Sequence, residues 1–274
     1  MDVLRYAAFT DDPAGGNPAG VVLDASTASA DEMLAVAAEV GYAETAFVVG
    51  RPAERRVRMR YFSPHAEVPF CGHATVATAV ALAERHGGGE FTFETAVGPV
   101  ALVADGGRAS FTSVEPSVAD LTPAQLAELL DLFGLAADDL DERYPPRVAA
   151  AGNPHPVLVL HDADRFDAVT FDPARARRVL DANGWPATIT LAHARDAHLF
   201  EARNAFPVGS VTEDPATGSA AAALGGYLRA LGHVDPPARV LVHQGRHVGR
   251  PGLLTVDVPA HGGIVVSGPA VRMG

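Results

Sequence analysis

The chain has 274 residues, enough for two ordinary domains or one large one, and ample for a buried core. With 48% apolar and 20% charged residues it has the composition of a folded globular protein, which excludes disordered and fibrous classes. Every basic side chain except the histidines is Arg, and the formal charge is −12 at pH 7, a balance that repels phosphate backbones and argues against a nucleic-acid partner. The single Cys71 excludes an internal disulfide, a multi-cysteine zinc site and two-thiol chemistry, and it fits a reducing compartment.

Residues 2–9 lack the basic and apolar regions of a secretory signal. Apolar stretches such as 75–83 fall short of the ~20 residues that span a bilayer. The expectation is a cytoplasmic protein with no membrane partner.

Residues 3–9 read as a strand, 11–20 (DDPAGGNPAG) as a dense turn signal, and 21–23 as a resumed strand. Ser29 and Glu32 form a capping box ahead of Met33, Val36, Ala37 and Val40 at helical spacing, so a first helix runs to about Val40. Strands follow at 44–49 and 56–62, then a Pro-free helix rich in small residues over 71–85, stopped by three glycines. Residues 91–95, 97–104 and 109–113 look like a meander. Thr122, Pro123 and Gln125 start a second capped helix that ends by Gly134. Strands at 148–151, 157–160, 188–191 and 198–203 accompany a helix after Asp172 and Pro173. A last helix of small residues spans 217–231, and strands at 240–243, 253–258 and 264–267 close the chain.

Three patterns recur in the same order. Gly16-Asn17-Pro18 matches Gly152-Asn153-Pro154, Arg60, Phe62 and Pro64 match Arg203, Phe206 and Pro207, and Gly72-His73-Ala74 matches Gly218-Ser219-Ala220. Their offsets, 136, 143 and 146 residues, grow as loop insertions would make them grow. Each match alone is weak, because Gly, Ala and Pro are abundant. Their shared order favours a duplicated unit, with two equivalent helix starts beside a cleft.

Both starts put Gly, hydroxyl or imidazole groups where backbone N–H donors lack intrahelical partners. Such ends attract a carboxylate or a developing enolate. The plain alternative is that Thr217 and Ser219 cap, Asp214 fixes a turn before Pro215, and the glycines permit close packing. A cation at His73 would oppose the helix dipole, so a neutral imidazole is expected there. On the motif alone, a proton-transfer histidine and a satisfied core histidine fit equally.

Across nearly the whole chain, GNPAGVV at 16–22, ETAF at 44–47, RYFSPHAEVPFCGHAT at 60–75, EDPATGSAAA at 213–222 and HQGRHVGRP at 243–251 resemble the PhzF-like isomerases named for phenazine biosynthesis. The resemblance implies an α/β fold of mixed sheets, duplicated as in diaminopimelate epimerase, each domain a curved sheet or barrel around a central helix. It places the domains at 1–114 and 115–262, with 263–274 returning to the first, and implies a homodimer. It implies a cofactor-independent isomerase that shifts a proton and a double bond in a small carboxylic acid, of which trans-2,3-dihydro-3-hydroxyanthranilate is the best-known example. Carried over residue by residue, Glu44 is the general base, with His73, Asp214 and Ser219 supporting. Asn17, Gly72, Ala74, Thr217 and Gly218 are expected to hold substrate. Without the resemblance, Glu44 reads as a solvated strand-end carboxylate.

Epimerases of this fold use two opposed cysteines, and this chain has one. Cys71 reads as a small buried thiol, with a Cys71-dependent epimerase or hydrolase and a non-catalytic acid-binding protein as alternatives. His65, Glu67, His243 and His247 lack a compact ligand spacing, so no metal is expected.

Overall fold

The computed structural model describes residues 1–208 and 211–274. The chain divides into two compact units, Met1–Thr112 with Val266–Gly274, and Ser113–Val265.

The first unit contains β1 (Leu4–Ala8), β2 (Asn17–Val22), α1 (Ala30–Val40), β3 (Glu44–Ala53), β4 (Arg56–Phe62), β5 (Glu67–Val68), α2 (Gly72–His86), β6 (Gly89–Thr95), β7 (Gly98–Asp105) and β8 (Arg108–Thr112). The second contains β9 (Ser117–Asp120), α3 (Pro123–Leu132), β10 (Arg147–Ala150), β11 (Pro154–Leu160), α4 (Ala163–Ala168), α5 (Pro173–Asn183), β12 (Ile189–Asp196), β13 (Leu199–Val208), β14 (Val211–Asp214), α6 (Gly218–Ala230), β15 (Ala238–Gln244) and β16 (Gly252–Val258). The last strand, β17 (Val265–Arg272), pairs with β1 and β8. In the first unit the strands therefore close a ring in the order β17, β1, β2, β3, β4, β6, β7, β8.

The second unit repeats the same sequence of pairings. β1/β2 and β10/β11 are antiparallel, β2/β3 and β11/β12 parallel, β3/β4 and β12/β13 antiparallel, and β4/β6 and β13/β15 parallel. A parallel pair needs a crossover, and helices supply it. α2 crosses from β4 to β6, and α6 from β13 to β15. The fold is thus a duplicated α/β unit of mixed sheet.

Each crossover helix is buried by its own sheet. α2 packs against β1, β2, β3, β7 and β8, and its residues from Gly72 to Leu82 are buried on every face. α6 packs against β9, β10, β11 and β16, and apart from Ser219 it is buried from Gly218 to Leu228. A helix can be enclosed in this way only if it has no polar stripe and few bulky side chains. A Cβ built at Gly226 would lie 2.4 Å from Pro116 Cβ, so hydrogen is the only substituent that fits. Amphipathic helices cover the outer faces. α1 lays Met33 and Ala37 on Val22, Phe47 and Phe62, while Leu129, Phe166 and Leu180 pack with Leu158, Leu160, Ile189 and Leu191.

The capping boxes at Ser29/Glu32 and Thr122/Gln125 form as expected. Differences from the sequence reading lie in short elements. β2 starts at Asn17, inside the expected turn, because its first residues pair with Ala7 and Ala8 of β1. β5, β9, α4 and β14 carry too few residues to show a period.

One ion pair recurs at equivalent positions. Arg60 on β4 holds Glu67 on β5 through two hydrogen bonds of 2.7 and 2.6 Å, and Arg203 on β13 holds Glu213 on β14 through bonds of 3.1 and 2.5 Å. The first pair has side chains 31% and 42% exposed and the second 8% and 11%. Glu213→Gln should therefore cost about 3–5 kcal/mol by leaving a buried guanidinium uncompensated. Glu67→Gln should cost less than about 1 kcal/mol. Urea unfolding of the two variants checks this, and equal losses would contradict it.

Candidate active site

The first unit gathers four side chains at the start of α2. Gly16 has φ +54°, and a Cβ there would sit 2.2 Å from the Ala8 carbonyl, so only glycine makes the turn that delivers Asn17. The parallel β2/β3 register sets Glu44 beside Ala19. Cys71 is the N-cap of α2 and His73 lies in its first turn. Asn17 Nδ2 is 3.1 Å from His73 Nδ1, and His73 Nε2 is 3.5 Å from Glu44 Oε2. Cys71 Sγ lies 3.5 Å from the same Glu44 oxygen and 3.3 Å from His73 Nδ1.

These contacts settle the form of the imidazole. The Asn17 amide donates to Nδ1, so the ring proton sits on Nε2 and faces Glu44. His73 is 4% exposed, and loss of water pushes its pKa down to about 3. The approach to Glu44 is therefore a polar contact between a carboxylate and a neutral imidazole, not an ion pair. A base beside a neutral N–H donor, at a helix start whose Gly72, His73 and Ala74 amides lie ahead of the first intrahelical bond, can take a proton and stabilise negative charge.

In the second unit, the buried Arg203–Glu213 pair fixes the strand that ends in Asp214. Thr217, the N-cap of α6, donates through Oγ1 to Asp214 Oδ2 at 2.6 Å. Gln244 closes the turn, donating to the Asp214 carbonyl at 2.6 Å and to Thr217 Oγ1 at 2.9 Å, while its Oε1 accepts from Thr217 N at 3.2 Å. Ser219 Oγ, in the first turn of α6, is 3.1 Å from His155 Nε2.

Of the residues expected from sequence, Asn17, Glu44, Gly72, His73 and Ala74 meet at one helix start, and Asp214, Thr217, Gly218 and Ser219 at the other. Asn17 is 1% exposed and bonded to His73, and Thr217 is engaged with Asp214 and Gln244, so both support neighbouring groups. Gln244 and His155 fall outside that set, and Cys71, weighed in the sequence only as an alternative, joins the first cluster. Cys71 is buried as expected, yet its sulfur faces both Glu44 and His73. Gln244 lies far along the chain within HQGRHVGRP, and His155 immediately follows the second GNP. The donor atoms of Glu44, Cys71 and His73 all lie within 4.8 Å of one another, a spacing that a divalent ion could bridge. These are not the four residues whose scatter argues against a metal in the sequence.

Two buried histidines tie the site to stability. His155 is fully buried, and loss of water lowers its pKa to about 4, against about 3 for His73. An unfolded histidine titrates near ~6.5. Above that pH neither state binds the proton. Below it only the unfolded chain does, so stability falls as pH drops from ~6.5 toward the folded values. The urea midpoint should decline between pH 7 and 5, and the decline should shrink in His73→Asn and His155→Gln. A midpoint independent of pH over that interval would contradict the burial of neutral imidazoles.

Known proteins resemble the chain over nearly its whole length. Residues 6–273 match the PhzC-PhzF family model, described as phenazine biosynthesis-like protein. The chain is 31% identical to the uncharacterized isomerase YfhB of Bacillus subtilis, over 96% of this chain and 92% of that one. It is 30% identical to the trans-2,3-dihydro-3-hydroxyanthranilate isomerase of Pseudomonas chlororaphis, over 90% and 86%. The crystal structure of a PhzF-family phenazine biosynthesis protein from Bacillus anthracis superposes with a TM-score of 0.87 at 28% identity, covering 100% of this chain and 98% of that one. Solved epimerases and racemases at 14% identity or less share the fold alone. Among the described residues, no helix is long and apolar enough to cross a membrane. The motifs, the duplicated fold and these matches together make the chain a member of the PhzC-PhzF family and an isomerase.

Proposed function

We propose that the protein moves a proton and a double bond within a small carboxylic acid, with no cofactor, and that Glu44 is the base. The observation that carries this reading is the Glu44 carboxylate 3.5 Å from a buried, neutral His73 at the start of α2. Glu44 takes the proton from carbon, the electron pair moves into the conjugated system, and charge develops on the acid's oxygens. The first-turn amides of α2 and the His73 Nε2–H are donors of the kind that stabilise such charge. Returning that proton from Glu44 to a different carbon completes the shift and restores the carboxylate. Asp214 and Ser219 take supporting roles on the family resemblance. The relative from Pseudomonas chlororaphis makes trans-2,3-dihydro-3-hydroxyanthranilate the first acid to try. The same resemblance supports a homodimer, which sedimentation of the purified protein reads directly.

A second reading has one observation in its favour. Cys71 Sγ touches both Glu44 and His73, so the thiol is placed to take part in proton transfer. Cys71→Ala separates the two readings. Turnover at near wild-type rate leaves Glu44 as the base, whereas loss with Glu44 intact assigns the proton to sulfur.

Incubating the enzyme with this acid in deuterated water should place deuterium on carbon. Glu44→Gln should fold and bind yet lower turnover by about 10²-fold or more, the scale of general-base loss. A wild-type rate in that variant would remove Glu44 from the role.

A further inference from the structure

Ser219 is backed by a chain of buried polar groups whose hydrogens can be placed one by one. Asn204 Oδ1 accepts from Thr188 Oγ1 at 2.8 Å and from Thr190 Oγ1 at 2.7 Å, which fills both of its lone pairs. The Thr188 hydroxyl proton is thereby committed to Asn204. Toward His155 Nδ1, 2.9 Å away, Thr188 Oγ1 can only accept. The Thr188 carbonyl, 3.3 Å from the same nitrogen, can also only accept. Nδ1 must therefore carry the ring proton. His155 is completely buried and neutral at neutral pH, because loss of water holds its pKa at about 4. Its Nε2 is then a bare lone pair, and Ser219 Oγ, 3.1 Å away, must donate to it.

We infer that His155 is a positioning residue that commits the Ser219 hydroxyl proton, so that Ser219 offers only lone pairs to a ligand and selects small acids bearing a hydroxyl or amine donor. The ligand part rests on the reading of Ser219 as a site residue, and the proton assignment does not. The chemistry is asymmetric. A serine free to rotate can serve a donor or an acceptor, whereas one whose proton is held by a buried imidazole rejects a ligand oxygen that lacks a proton. A ligand donor placed against it gains a hydrogen bond that a capped analogue cannot make, and the capped analogue leaves the serine lone pairs desolvated and unpaired.

His155 also contrasts with its counterpart. Ser219 occupies in α6 the place that His73 occupies in α2, each following the first helical glycine. In the first unit the imidazole itself stands on the helix and Asn17 fixes its tautomer. In the second the imidazole stands on β11, one step behind the hydroxyl, and Thr188 fixes its tautomer. The ring proton is on Nε2 in the first and on Nδ1 in the second, opposite assignments dictated by opposite partners.

Two measurements test the inference. Neutron diffraction from deuterium-exchanged crystals should show His155 with deuterium on Nδ1 alone and the Ser219 deuteron directed at Nε2. Deuterium on Nε2 overturns the proposal whatever the enzyme's activity. Calorimetry should show 3-hydroxybenzoate or anthranilate binding about tenfold tighter than 3-methoxybenzoate or N,N-dimethylanthranilate, the ratio that ~1.4 kcal/mol represents. Ser219→Ala should reduce the preference to less than about twofold, and His155→Phe should do the same while Ser219 remains. A preference unchanged in both variants, equal binding of each pair in the wild type, or no binding of any of them overturns the ligand assignment. Failure of the isomerase reading is read separately, by deuterium exchange into carbon.

Discussion

The enclosure of a helix by its own sheet is the constraint from which the site follows. A sheet can close around α2 only because Ala, Val, Thr and Gly occupy nearly every face, and the helix is accordingly buried all round from Gly72 to Leu82. Its first turn is then buried as well, and the groups found there must be satisfied by the protein. Asn17, Glu44, Cys71 and His73 satisfy one another. Burial also decides their chemistry. An imidazolium would lose hydration and face the positive end of the helix dipole, so His73 stays neutral and is left as an N–H donor beside a carboxylate.

Duplication has kept the frame and changed the side chains. The pairing of Thr45 with Phe62 matches that of Ile189 with Ala205, given the shared Arg60 and Arg203, so Thr188 stands where Glu44 stands. Ser219 replaces His73 and Thr217 replaces Cys71. A carboxylate, a thiol and an imidazole in the first unit are thus matched by two threonines and a serine in the second, with His155 standing on the neighbouring strand. The second unit also carries a carboxylate of its own in Asp214, held by Thr217 and by a turn that Gln244 closes. The same frame thus carries a cluster of carboxylate, thiol and imidazole in one unit and a network of hydroxyls, imidazole and carboxylate in the other.

Much of this was legible in the sequence, for reasons that differ by residue. The capping boxes and the two helices of small residues carry their signal locally, within a turn or two. The duplication was visible because Gly16, Arg60, Gly72 and their counterparts hold fixed jobs: a positive φ, a bidentate ion pair and a helix start. His155 and Gln244 were not, because their partners lie 64 and 27 residues away and nothing near them in the chain reports a contact across the fold. Cys71 shows a second limit. Its burial was expected, but a buried thiol looks the same in sequence whether it faces alanines or a carboxylate and an imidazole. The short strands β5 and β14 escaped notice because two and four residues show no alternation, yet they carry the glutamates that fix the approach to each helix.

Sheet closure holds His73 neutral, with its proton on Nε2 toward Glu44. Long-range proton–nitrogen correlation spectra of histidine-labelled protein, recorded from pH 8 to 5, report the tautomer and charge of that ring directly. A neutral ring with its proton on Nε2 is expected throughout the range. A ring that takes up a second proton near pH ~6.5, as a solvated histidine does, or one that carries its proton on Nδ1, would contradict it.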